Sequence, residues 1–193
     1  MSGGCAALAR GEADGLEKSL FRPQTLSTVR YADPAAWAVA TATARAFRAA
    51  ADPVAAAGDR IGVVVTSPRG PVETIAWIAS ATREGSSSPL RFPASNPGSL
   101  AGVTCIALGL RGPTLMLTMP AAEGAALGLL LGERWIARGD VALVVVASCV
   151  ERAPGKNLAR CVVVGGAPGG ALDPRGEASW LAGAASTAGS VPE

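Results

Sequence analysis

Histidine is absent from all 193 residues. Without an imidazole, these residues can build neither a Ser-His-Asp nor a Cys-His arrangement, nor a mixed Cys/His zinc site. Lysine occurs only as Lys18 and Lys156, aromatics make up 4%, and the net charge is +2 with no basic run. That excludes the basic stripe and stacking platform of a nucleic-acid binder. Cys5, Cys105, Cys149 and Cys161 include no CxxC spacing. They read as buried, reduced thiols of a cytoplasmic protein, and no metal or cofactor is expected. The longest apolar run, residues 141–150, is about half of what spans a bilayer. The amino-terminal segment carries Arg10, Glu12 and Asp14 and has no continuous apolar stretch, unlike a secretory leader. Gly165-Gly166 and Gly169-Gly170 stand in neither a phosphate-loop nor a dinucleotide-binding pattern. Nucleic acid and membrane are both excluded as expected partners.

What is present is apolar. The chain is 49% hydrophobic and 17% charged, enough for a real core and for an apolar face that needs covering. Residues 1–25 read as a flexible amino terminus, residues 26–166 as one domain, and residues 167–193 as a Gly/Pro/Ala-rich tail with a short helix around residues 177–184. Asp33 followed by Pro34 marks a helix start, and the helix is expected over residues 34–51 with Trp37, Ala40, Ala44 and Phe47 on one face. Asp52-Pro53 should end it. IGVVV at 61–65 is a buried strand.

Helices are expected over residues 72–83 and 98–110, with a strand over 114–119. A helix over 121–138 is apolar almost all round in its first turns, the mark of an element covered on every side. Strands follow at 141–150 and 159–164, joined by a loop over 151–158. Helices alternating with buried strands predict an α/β fold, a mostly parallel sheet covered by helices on both faces.

Four passages in this order resemble the amino-terminal half of the β-ketoacyl synthases of the thiolase superfamily. They are DRIGVVV at 59–65, FPASNPG at 92–98, LGLRGP at 108–113 and RGDVALVVVA at 138–147. The resemblance implies half of a thiolase-like fold. It also implies a nucleophile elbow where the strand at 114–119 meets the next helix. In that family a Cys-Ala-Ser-Gly run stands there; anchored on Gly124, this chain has Ala121-Ala122-Glu123-Gly124. Ala121 occupies the nucleophile position, and alanine cannot form an acyl thioester. The two histidines that the family draws from its carboxyl-terminal half are also missing from these residues.

A retained fold with an erased nucleophile resembles the chain length factors, the inactive partners of ketosynthases in type II polyketide and polyene systems. The resemblance implies a full-length β-ketoacyl synthase as partner in a heterodimer or heterotetramer, and an acyl carrier protein as a further contact. It offers Met116, Met119, Ala121 and Glu123 as acyl-pocket residues. Asn96, Leu100, Val103, Arg111, Leu115, Leu117 and Met119 are its interface residues, with the 114–119 strand pairing across the dimer. Two alternatives stand beside this reading. One is a small repurposed enzyme, an isomerase, cyclase or dehydratase for a carrier-bound polyketide, with Glu123 or Asp140 as base. The other is a homodimeric acyl-binding protein.

Overall fold

The computed structural model describes residues 4–167 and 169–183. Five strands form one sheet in the order β1-β5-β4-β2-β3. They are β1 (Gly4–Ala13), β2 (Ile61–Thr66), β3 (Thr114–Leu117), β4 (Leu143–Ala153) and β5 (Lys156–Ala167). The helices are α1 (Pro23–Thr28), α2 (Pro34–Ala49), α3 (Ala51–Ala57), α4 (Val72–Arg83), α5 (Ser99–Leu108), α6 (Ala121–Ala137) and α7 (Pro174–Leu181). Strands β2, β3 and β4 are mutually parallel, and β5 runs against both β4 and β1. Four strands therefore point one way, as a mostly parallel sheet requires, while the pairings divide evenly between the two kinds.

Side-chain alternation along the Val-rich strands feeds two cores. Val63, Val65, Val145 and Val163 pack beneath α2 and α5. Val64, Val144, Val146, Val162 and Val164 pack beneath α6 and α7. The α/β class and the two-sided helical cover are those expected from the sequence.

Several expectations are corrected. Residues 4–13 are not a flexible lead-in: β1 pairs along its length with β5, from Gly4 opposite Ala167 to Ala13 opposite Ala159. Its small residues suit this place, because Gly11 lies against the backbone of Ala42 where any Cβ would collide. Asp52-Pro53 does not end a helical region but sits in the first turn of α3, after a break at Ala50. Residues 151–158 are not a loop. Both strands run on through them to a turn at Pro154-Gly155, with Ala153 opposite Lys156, and Gly155 supplies the positive φ of 71° that the turn needs.

The tail does contain a helix, but it starts earlier, at Pro174. The Asp173 carboxylate caps it by accepting from the N–H of Arg175. The rest of that tail, residues 184–193, lies outside the described residues.

The roles of α2 and α6 are exchanged. Expected to show one apolar face, α2 is buried all round from Ala35 to Ala44, because its alanines let sheet and α5 approach on different sides. Expected to be covered everywhere, α6 is buried only along Gly124, Ala125, Gly128, Leu129 and Gly132, and Leu130 is 60% exposed on its other side.

Candidate functional site

The parallel strands deliver their carboxyl ends to one edge of the molecule, where α6 begins. Strand β3 ends at Leu117, and Thr118, Met119 and Pro120 turn the chain into Ala121. Proline at the cap position offers no side-chain acceptor. The N–H of Gly124 donates to the Pro120 carbonyl at 2.9 Å, which leaves the amides of Ala121, Ala122 and Glu123 without helical acceptors. These amides and the helix dipole make an electropositive elbow, the setting that depresses a thiol pKa and stabilises an oxyanion. The side chain presented there is the Ala121 methyl, half-buried.

A glycine stripe that the sequence reading missed holds the elbow over the strand ends. Gly124, Gly128 and Gly132 recur every fourth residue and face the sheet. A Cβ at Gly124 would overlap the Thr66 hydroxyl. At Gly128 it would stand 2.9 Å from Val146 Cγ1, and at Gly132 3.1 Å from Val144 Cγ1. The helix thus lies closer to β2 and β4 than any larger residue would allow. The four-residue spacing was the available signal.

Elsewhere, Asp33 ties two helix starts together. Its Oδ1 accepts from the N–H of Ala35 at 2.9 Å, and its Oδ2 from the N–H of Thr74 in α4 at 2.8 Å. The first role is legible from Asp33-Pro34; the second is tertiary. Outside this pair, Arg69 bonds Glu151, and the Asn157 amide donates to Glu73 at 3.1 Å. These contacts brace the β4–β5 hairpin against the α4 entry.

Of the acyl-pocket candidates, Met119, Ala121 and Glu123 lie at the elbow and Met116 does not. Met116 points into the core under α2 and α5, while its neighbours Leu115 and Leu117 join the opposite core. Met119 packs near Gly124, and Glu123 is exposed. Among the interface candidates, Leu100 and Val103 are corrected: both are buried within the chain, where α5 seats on the sheet. Asn96 and Arg111 are exposed, with the Asn96 side chain accepting from the N–H of Gly98 at 2.7 Å. Strand β3 is at the sheet edge.

The two candidate carboxyls, Glu123 and Asp140, are not brought together. Glu123 is not enclosed by apolar groups, and Asp140 pairs with Arg138 at 3.2 Å. The two carboxyls stand at opposite ends of a helix about 25 Å long. Burial raises the pKa of all four thiols, Cys5 included. Burial pushes Cys105 up to about 11. Burial, with Asp33 adding to it, pushes Cys149 up to about 12. Burial likewise outweighs the hydrogen bonds from Thr43 and the Gly11 backbone, pushing Cys161 up to about 12. No cluster of metal-ligating side chains occurs among the described residues, and no helix there is long and apolar enough to cross a membrane.

The arrangement of this sheet, with α6 entering at its edge, recurs in solved structures. The ishigamide ketosynthase/chain length factor superposes with a TM-score of 0.56 over 84% of this chain and 62% of that one, at 16% identity. The fold is that of the ketosynthases and chain length factors. The ketosynthase ApeO in complex with its chain length factor ApeC, from Xenorhabdus doucetiae, gives 0.59 over 82% of this chain and 74% of that one, at 16% identity.

A type II polyketide synthase acyl-carrier protein in complex with its ketosynthase, AntDE:AntF, gives 0.64 over 86% and 63%, at 12% identity. The chain spans about three fifths of the length of the first of these ketosynthase-fold proteins. No protein-family model matches the sequence, and no curated protein matches it.

Proposed function

We propose that the chain is a non-catalytic accessory subunit of the chain length factor kind. It pairs with an active β-ketoacyl synthase in type II polyketide or polyene assembly and helps shape the pocket that holds the growing acyl chain. One observation carries this reading: the elbow is built, with free amides and a closely seated helix, yet the residue presented is Ala121. A site whose geometry is kept while its nucleophile is lost serves a partner's chemistry better than its own.

The partner surface in this proposal starts at the bare edge of β3, where Leu115, Leu117 and Met119 are half-buried, and includes Asn96 and Arg111. An unpaired strand edge is a template for pairing with another chain. The ApeO–ApeC complex is an association of the proposed type, and AntDE:AntF motivates a carrier protein as a further contact, with Arg111 as the cation for its acidic surface.

The test is co-expression with a full-length ketosynthase from the same gene neighbourhood, followed by size-exclusion chromatography with light scattering. The expected result is a 1:1 or 2:2 complex that is lost in Leu115→Lys. A chain that forms only a homodimer, or stays alone beside the ketosynthase, overturns the proposal.

A further inference from the structure

The face of the sheet opposite α6 carries a cavity of about 270 Å³, open between α1, residues 90–94 and α5. Its walls are apolar, formed by Val29, Ala32, Pro93, Val103 and Ile106, and by the backbone of Gly102. Two hydroxyls on the wall are already committed. Thr28 donates to the Gln24 carbonyl at 2.9 Å, and Ser99 to the Ala94 carbonyl at 3.1 Å. The interior therefore offers hydrophobic contact.

The tyrosine of the wall is different. Tyr31 lines the cavity, and two guanidiniums stand on its ring, Arg30 at 4.7 Å and Arg91 at 5.3 Å from the centroid. Arg91 also lies 4.2 Å from the Trp77 ring, so it is held between two aromatics. Among the described residues neither arginine has a carboxylate partner. Stacking fixes these cations and strips part of their water, while their N–H donors stay free for an anion.

An apolar hole with two held, unpaired cations stacked on the tyrosine of its wall complements an amphipathic anion. We propose that this cavity binds a single-chain carboxylate, its methylene tail in the hole and its head group on Arg30 and Arg91. The volume accepts about nine groups of the size of a water or a methylene, so the chain is of short to medium length. The site lies away from the elbow and does not depend on the function proposed for it.

Calorimetric titration of the full chain with octanoate and with 1-octanol tests this. Saturable octanoate binding at one site is expected, roughly ten-fold or more tighter than octanol because only the carboxylate engages the guanidiniums. A Cβ at Gly102 would meet nothing within 4 Å, so Gly102→Leu fills the cavity while improving the helix. It should abolish binding with thermal stability retained. Arg91→Gln should weaken octanoate and leave octanol unchanged. The proposal is overturned if the folded chain shows no saturable octanoate binding, if Gly102→Leu binds as the parent does, or if Arg91→Gln weakens both ligands equally.

Discussion

The Thr66 hydroxyl sits against Gly124, in the space where any other residue would carry its Cβ. Among the described residues it is the one buried side-chain polar atom without a hydrogen-bond partner. Packing of α6 on β2 was thus achieved at the expense of that hydroxyl's satisfaction. Gly124→Ala should lower stability by about 1–3 kcal/mol through overpacking, although alanine is the better helix former. Thr66→Ala should cost little and recover part of the loss in the double variant. Urea unfolding midpoints of the three variants check this; a neutral Gly124→Ala would mean that the helix can lift off the sheet freely.

The elbow makes a chemical prediction of its own. A cysteine placed at position 121 would sit among the unpaired amides of the first turn of α6, where thiol pKa values fall well below the ordinary one. Ala121→Cys should therefore create a thiol that iodoacetamide alkylates at pH 7 roughly ten-fold or more faster than any native cysteine. Peptide mapping after timed alkylation gives the rates. If position 121 reacts no faster than Cys105, the elbow does not activate a nucleophile.

Asp33 serves both α2 and α4, so its removal should cost more than a single cap. Asp33→Ala frees the buried N–H groups of Ala35 and Thr74 together and should destabilise by about 2–4 kcal/mol, the sum of a cap and an unsatisfied buried donor. Asp33→Asn keeps one acceptor and should lose about half as much. Equal losses in the two variants would show that the bond the asparagine keeps contributes nothing.

Stability should fall in alkali through the buried thiols. Cys149 and Cys161 are pushed up from 9.0 to about 12. The folded chain keeps these protons where the unfolded chain has released them. Their contribution is complete below about pH 9 and declines as pH rises toward 12, by about 1.4 kcal/mol per unit and per thiol. Melting temperatures from pH 8 to 11 should fall less steeply for Cys161→Ala than for the parent, and matching slopes would rule out the thiol as the cause.

What the sequence made legible were elements specified by their own residues. IGVVV could only be a buried strand, and Asp33-Pro34 opens α2 as read. Strand β1 escaped notice because GCAALARGEA has little intrinsic strand preference; β5, distant in sequence, makes it a strand. The exchange between α2 and α6 has the same origin, since hydropathy alone does not say which helix the sheet and α5 enclose. At the site, Ala121 is the first residue of α6, where the helix was expected to start. Met116 and Leu117 were separable in principle, because neighbours on a strand face opposite ways. The burial of Leu100 and Val103 follows from their three-residue spacing on α5. The second role of Asp33 and the Tyr31–Arg91–Trp77 stack are tertiary and left no local trace.

Strand β1 also sets a timetable for synthesis. Among the described residues its only strand neighbour is β5, and the Glu12–Arg160 ion pair that joins them spans 148 positions. At about 5–20 residues per second, β1 waits roughly 7–30 s at the ribosome before its partner emerges. During that interval both of its edges are free to meet other chains. A nascent-chain chaperone that shields this segment would raise the yield of folded protein without touching its final stability.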